Sequence, residues 1–242
     1  MPIATASRPA LTAAFRCAPA AVLAAVIVAW APADMHADKA ADAPAAGKHE
    51  KEVDAAIDKA LAYLAGRQLA DGSFPCPLRG NTGATSLCVM AFLAKGYTPG
   101  AGPYGGTIDR GIDYVLKCQH VNGLLVAGVG KTHEQMYSHG ISTLMLSEVS
   151  GMVAPQRQEK IDKALPKALK LILVAQRARK RATDQGGWRY RYDSPDSDIS
   201  CTAWQLMALR SARNNGAPVP KQAVDEAVRY ILSLRLADGG FG

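Results

Sequence analysis

The chain of 242 residues has no long hydrophobic run. Its most apolar stretch, Cys17–Ala31, is fifteen residues, short of the roughly 20 needed to span a bilayer as a helix. Cysteine is scarce, with five in all and one of them, Cys17, inside that stretch, so a dense disulfide framework is excluded. The histidines of His133-Glu-Gln-Met-Tyr-Ser-His139 are six apart, and the zinc-protease pattern, which sets two histidines four apart on one helix face, is missing. Charge is moderate too: 20% of residues are charged against 48% hydrophobic, with a net charge of +7, the balance of a globular protein with a real core.

Arg8 and Arg16 precede the apolar stretch, and Ala31-Pro32-Ala33 ends it with a small-x-small pattern. This reads as a signal peptide over 1–33, cleaved before Asp34, and implies a periplasmic or secreted protein. Removing its two arginines leaves a net charge of +5, which does not call for nucleic acid as a partner. No membrane span remains after cleavage. Residues 34–49, rich in Ala, Pro, Asp and Lys without periodicity, read as a flexible spacer. Lys160, Lys163, Lys167, Lys170, Arg177, Arg179, Lys180 and Arg181 read as a solvated helix face.

From residue 50 the chain repeats itself. Ile57-Asp-Lys-Ala-Leu61, Ile108-Asp-Arg-Gly-Ile112, Ile161-Asp-Lys-Ala-Leu165 and Val224-Asp-Glu-Ala-Val228 are one helix start seen four times, with their aspartates 51, 53 and 63 residues apart. Ten residues after the aspartate stand Gln68, Gln119 and Arg235; in the third copy the glutamine, Gln176, comes four residues later, as one extra helical turn would place it. A turn follows each: Asp71-Gly-Ser-Phe74, Asn122-Gly-Leu124, Gln185-Gly-Gly-Trp188 and Asp238-Gly-Gly-Phe241. A second helix then begins at a hydroxyl residue, aligned as Thr85, Ser142 and Thr202.

Such a unit is a helical hairpin that buries its faces only by stacking on its neighbours. The sequence therefore predicts an all-α fold of stacked hairpins, about three and a half repeats forming part of an α/α toroid, with helices near 51–69, 83–95, 107–119, 139–150, 158–180, 199–214 and 221–236. The fourth copy stops at Gly242, after its turn. The expectation is a domain over 50–242, truncated at its C-terminus, with a capping partner or self-association at the open end.

The stretch 185–205 carries the most local chemistry. Gly186-Gly187 ends an element, Trp188 packs back on the helix just finished, and Asp198 or Ser200 caps the next helix. Trp188, Tyr190, Tyr192 and Trp204, with His139 from the preceding repeat, are the candidates for lining a ligand cavity. Cys76, Cys88, Cys118 and Cys201 have a disulfide state the sequence leaves open.

Gln68-x-x-x-Gly72-x-Phe74 and its imperfect copies at Gln119, Gly186-x-Trp188 and Arg235 resemble the repeat signature of the squalene cyclase and prenyltransferase superfamily. The resemblance covers roughly 50–242 and is similar in kind to exported bacterial repeat proteins without an established activity. It implies an α/α toroid. Terpene cyclases of this superfamily use Asp-x-Asp-Asp-Thr-Ala, one of whose acids stays protonated to protonate an alkene. Here Asp198-Ile-Ser-Cys-Thr-Ala203 keeps the first Asp and the Thr-Ala, with Ser200 and Cys201 in place of the other acids. Asp198 is the catalytic candidate that the resemblance leaves.

The related protein prenyltransferases hold zinc with Asp, Cys and His, and Asp198, Cys201 and His139 are the ligand types at hand; the expectation is no cofactor, with zinc as the alternative. The functional expectation is an exported binding or scaffold module, with an unidentified hydrophobic or isoprenoid ligand. A divergent isoprenoid cyclase or prenyltransferase is one alternative. Another enzyme on an α/α toroid, such as a polysaccharide lyase using Tyr137, His139 and Arg189, is the other. The thioester toroids are excluded, since no Cys-Gly-Glu-Gln occurs.

Overall fold

Residues 46–77, 81–128 and 135–241 are described by a computed structural model. They form seven α-helices and no β-sheet: α1 (Ala46–Arg67), α2 (Thr82–Ala94), α3 (Gly105–Lys117), α4 (Gln135–Val149), α5 (Pro155–Gln176), α6 (Ile199–Asn214) and α7 (Lys221–Ser233). The signal peptide and most of the spacer expected from the sequence, together with His133, lie outside the described residues. The compact unit spans Lys51–Gly242.

The helices alternate between two layers. The even-numbered helices α2, α4 and α6 pack side by side, and α3, α5 and α7 lie against them, with α3 also meeting α5. Leu61, Ile112, Val115, Leu165, Leu169 and Ile172 from the odd helices and Val89, Phe92, Met145, Leu146 and Leu209 from the even ones form the core between the layers. Burying one such side chain contributes about 1.5–3 kcal/mol. Charges clamp the outer edge: Arg157 at the start of α5 pairs with Asp109 and Asp113 of α3, both at 2.9 Å.

One device joins each hairpin to the next. The amide nitrogen of Gln68 donates to Gly72 O in its own turn (3.0 Å) and to Thr107 O on α3 (2.9 Å). Gln119 does the same to Gly123 O (3.2 Å) and Ala164 O on α5 (2.9 Å), and Gln176 to Gly186 O (2.9 Å) and Ala223 O on α7 (2.8 Å). The repeated glutamine is thus a staple between hairpins, giving the turn carbonyl a donor and occupying the second lone pair of a carbonyl on the next helix.

The turn glycine sits three residues further along the same neighbour. Gly72, Gly123 and Gly186 have φ of 91°, 94° and 91°, and a Cβ on them would lie 2.3, 2.4 and 2.3 Å from the carbonyl oxygens of Arg110, Lys167 and Glu226. Only glycine allows both that φ and that approach. The fourth turn keeps the conformation, with Gly239 at φ 88°, but among the described residues nothing stands within 4 Å of a Cβ placed there.

These contacts correct two alignments. The residues that receive the staple, Thr107, Ala164 and Ala223, each precede Gln119, Gln176 and Arg235 by twelve positions. Gln176 is therefore in register; it is Asp162 that sits one turn early, and Pro166 occupies the place of Asp58 and Asp109. The lengthening in the third copy also lies in its turn: three residues separate Gln119 from Gly123, and nine separate Gln176 from Gly186.

The second correction concerns the even helices. Phe74 N donates to Thr85 Oγ1 (3.2 Å) and Trp188 N to Thr202 Oγ1 (2.9 Å), and the residue doing this work in the middle unit is His139, whose Nδ1 accepts from Leu125 N (3.1 Å). His139, not Ser142, is the counterpart of Thr85 and Thr202. An imidazole does not look like a hydroxyl in sequence, but both offer an acceptor to the same backbone amide.

Candidate functional site

Once His139 is matched to Thr85 and Thr202, the even helices share a register, and their least buried residues fall into rows. On α4 these are Tyr137, Leu144 and Glu148, spaced seven and four apart and so on one face. The matching rows are Tyr137 with Ser200; Leu87 with Ile141 and Trp204; Met90 with Leu144 and Met207; and Glu148 with Ser211. Direct contacts bear the rows out, since Ser211 Oγ donates to Glu148 Oε1 at 2.6 Å and Tyr137 Oη is hydrogen-bonded to Ser200 Oγ. Two apolar rows run between polar ends and are open at their flanks: Leu87 is 44% exposed and Met207 40%, while Ile141 at the centre of the first row is buried.

Asp198 stands at the N-terminal end of this face as the N-cap of α6. Its Oδ1 accepts from Cys201 N (2.8 Å), Ser200 Oγ (2.6 Å) and Tyr137 Oη (3.2 Å), and its Oδ2 lies 3.9 Å from Arg189 Nη1. Arg189 also reaches Asp196 Oδ2 at 3.5 Å and lies over the Tyr190 ring, 4.3 Å from its centroid. Tyr190 in turn faces Tyr137 at 5.8 Å. Burial works to raise the Asp198 pKa, but the hydrogen bonds from Ser200, the Cys201 amide and Tyr137, with the Arg189 charge, outweigh it and hold the carboxyl below its ordinary value. The site stabilises a carboxylate. It opposes a protonated acid.

The zinc set is not assembled. Tyr137 and His139 are two residues apart on α4, about 200° around the helix; since Tyr137 faces Asp198, His139 points away from it. His139 is fully buried with both ring nitrogens engaged: Nδ1 accepts from Leu125 N, so the proton is on Nε2, which donates to Ala168 O at 3.2 Å. Burial pushes its pKa down from 6.5 to about 4. Cys201 is buried, its Sγ donates to Arg189 O at 3.0 Å, and burial raises its thiol pKa to about 12. That is the opposite of a thiolate ligand or nucleophile. Among the described residues no three His, Cys, Asp or Glu side chains gather as a metal site, and Cys76, Cys88, Cys118 and Cys201 are unpaired.

The aromatic candidates divide. Trp188 is core: it is 1% exposed, its Nε1 donates to Ile172 O at 2.8 Å, and its carbonyl accepts from Asp198 N at 2.8 Å. It packs on α5, the helix just finished, and is sealed in the core. Tyr192 is half-buried against Leu124, Val126 and Leu171. Tyr190 belongs to the Asp198 cluster, and Trp204 to the middle apolar row. Sequence reasoning named Tyr137 and Arg189 only for lyase chemistry; their place beside Asp198 follows from the cross-helix register, which no motif records.

No family model matches the chain. Over 190 residues it is 26% identical to the drimenyl diphosphate synthase of Streptomyces showdoensis, covering 77% of this chain and 32% of that protein. It is distantly related to a terpene synthase. The chain spans about a third of that relative's length. Among solved structures, a mutant of a family 10 polysaccharide lyase from Cellvibrio cellulosa in complex with trigalacturonic acid superposes with a TM-score of 0.49 at 14% identity, over 76% of this chain and 70% of that one.

Proposed function

We propose that the domain over 50–242 is a binding module of the terpenoid-cyclase-like type that presents the two apolar rows of α2, α4 and α6 to a hydrophobic, isoprenoid-like ligand and does not start cyclisation by protonation. The observation that carries this reading is Asp198, whose carboxylate accepts three hydrogen bonds and faces Arg189. Protonating an alkene requires an acid whose neutral form the site favours. Asp198 is built the other way.

A second reading, a divergent isoprenoid cyclase, is favoured by the likeness to drimenyl diphosphate synthase. One experiment separates the two: incubation with squalene and with prenyl diphosphates, followed by product analysis by mass spectrometry. The binding module leaves these compounds unchanged in both the parent and Asp198→Asn. A cyclised product that disappears in Asp198→Asn establishes the cyclase.

We also propose export. The support is the apolar stretch Cys17–Ala31 behind Arg8 and Arg16. Mass spectrometry of protein from a secreting host is expected to show a mature start at Asp34, and a start at Met1 would refute it.

A further inference from the structure

The third seam between hairpins differs from the first two. The nine residues between Gln176 and Gly186, where the other turns have three, line with α7 a cavity of about 970 Å³. Arg177, Arg179 and Lys180 come to it from the loop and Arg229 from α7, and among the described residues the one acid on its wall is Glu226, giving four cations to one anion and a net of +3. The Glu226 carboxylate is taken up by Gln222 Nε2 at 2.8 Å along its own helix. The guanidinium groups of Arg177, Arg179 and Arg229 form no ion pair or hydrogen bond among the described residues.

We propose that this cavity is a binding site for a small multivalent anion, one carrying two or more phosphate or carboxylate groups. Like charges held around a concave wall repel one another and focus their field into the cavity, where an oxyanion relieves the repulsion. Guanidinium forks match phosphate and carboxylate oxygens two at a time. Lys180 is held in place by donating to Ser194 O at 3.1 Å and Asp196 O at 3.2 Å, which leaves a third N–H for a ligand. Its burial lowers its pKa, a cost to the empty site that a bound anion offsets.

The volume exceeds what one monovalent ion fills, and a single charge would be largely screened at physiological salt. Several linked oxyanions meet several cations at once. Lys160 and Lys163 of α5, by contrast, are not on the wall of this cavity and serve as internal controls. The site is separate from Asp198, which is not on its wall.

Isothermal titration of the full chain at roughly physiological ionic strength, with tripolyphosphate and, separately, tricarballylate, tests the proposal. One equivalent of at least one probe is expected to bind, and the tighter of the two identifies the anion as phosphate or carboxylate. Arg179→Ala and Arg229→Ala, both exposed, should each weaken binding about tenfold or more, the effect of losing one charge-assisted contact. Lys163→Ala should leave it unchanged. Binding of neither probe overturns the proposal, as does a loss in Lys163→Ala equal to that in Arg179→Ala, which would show general attraction to a basic surface.

Discussion

At the scale of single residues, Asp198 and His139 owe their roles to the groups packed around them. As an N-cap, Asp198 supplies an acceptor to the Cys201 amide, and asparagine supplies an acceptor as well. Asp198→Asn is expected to cost little in stability and Asp198→Ala about 0.5–2 kcal/mol, measured by urea unfolding. The same position in the first hairpin supports this, since Asn81 caps α2 and accepts from Ala84 N at 2.8 Å. Ser138 Oγ on α4 donates to Asn81 Oδ1 at 3.2 Å, as Tyr137 on the same helix donates to Asp198. A carboxylate at 198 therefore performs a task that an amide performs four helices earlier, at the start of α2. No proton transfer is needed to explain its presence.

At the scale of elements, the glutamine staple and the turn glycine join three hairpins and α7 into one array. Gly123→Ala meets two obstacles, a φ of 94° and a Cβ 2.4 Å from Lys167 O. Gly239→Ala meets only the first. The φ alone costs roughly 1–2 kcal/mol, so Gly239→Ala is expected to lose about that or less, and Gly123→Ala distinctly more. Comparing the urea midpoints of the two variants checks this, and equal losses would show that the close approach to α5 is not what fixes Gly123. The hairpin repeat itself was legible in the sequence because its signals are local: a glutamine, a glycine four positions on, and an apolar face at helical spacing. The third copy's register was not, because Asp162 stands one helical turn ahead of its counterparts and six extra turn residues follow the staple, which shifts the two halves of the motif independently.

At the scale of the whole molecule, stability is coupled to pH through His139. Its folded pKa is about 4 against an ordinary 6.5, so the unfolded chain takes up a proton first as pH falls. The stabilisation is fully present above about 6.5, declines between there and about 4, and amounts to about 3 kcal/mol across that window. Asp198 and Asp71, both below their ordinary values, add a further loss at still lower pH, as their carboxylates are protonated. His139→Thr copies the acceptor that Thr85 and Thr202 provide. It is expected to flatten the decline between pH 6.5 and 4, whatever its cost at neutral pH; an unchanged slope in denaturation midpoints would show that another group carries it.

The sequence by itself determined the helices, their pairing into hairpins and the need to stack, because each is set by periodicity and turn chemistry within a few dozen residues. It also determined that Ser200 and Cys201 stand where a proton-donating cluster would need acids. Tertiary structure decided what each candidate side chain is for. Whether His139 faces Asp198 or Ala168, whether Trp188 lines a cavity or seals the core, and whether Arg177, Arg179 and Arg229 are scattered in solvent or gathered around one cavity all depend on how α4, α5 and α7 are rotated against their neighbours. A helix turns by about 100° per residue, so a shift of one or two positions in packing register, invisible to local pattern, exchanges a buried hydrogen bond for a binding surface.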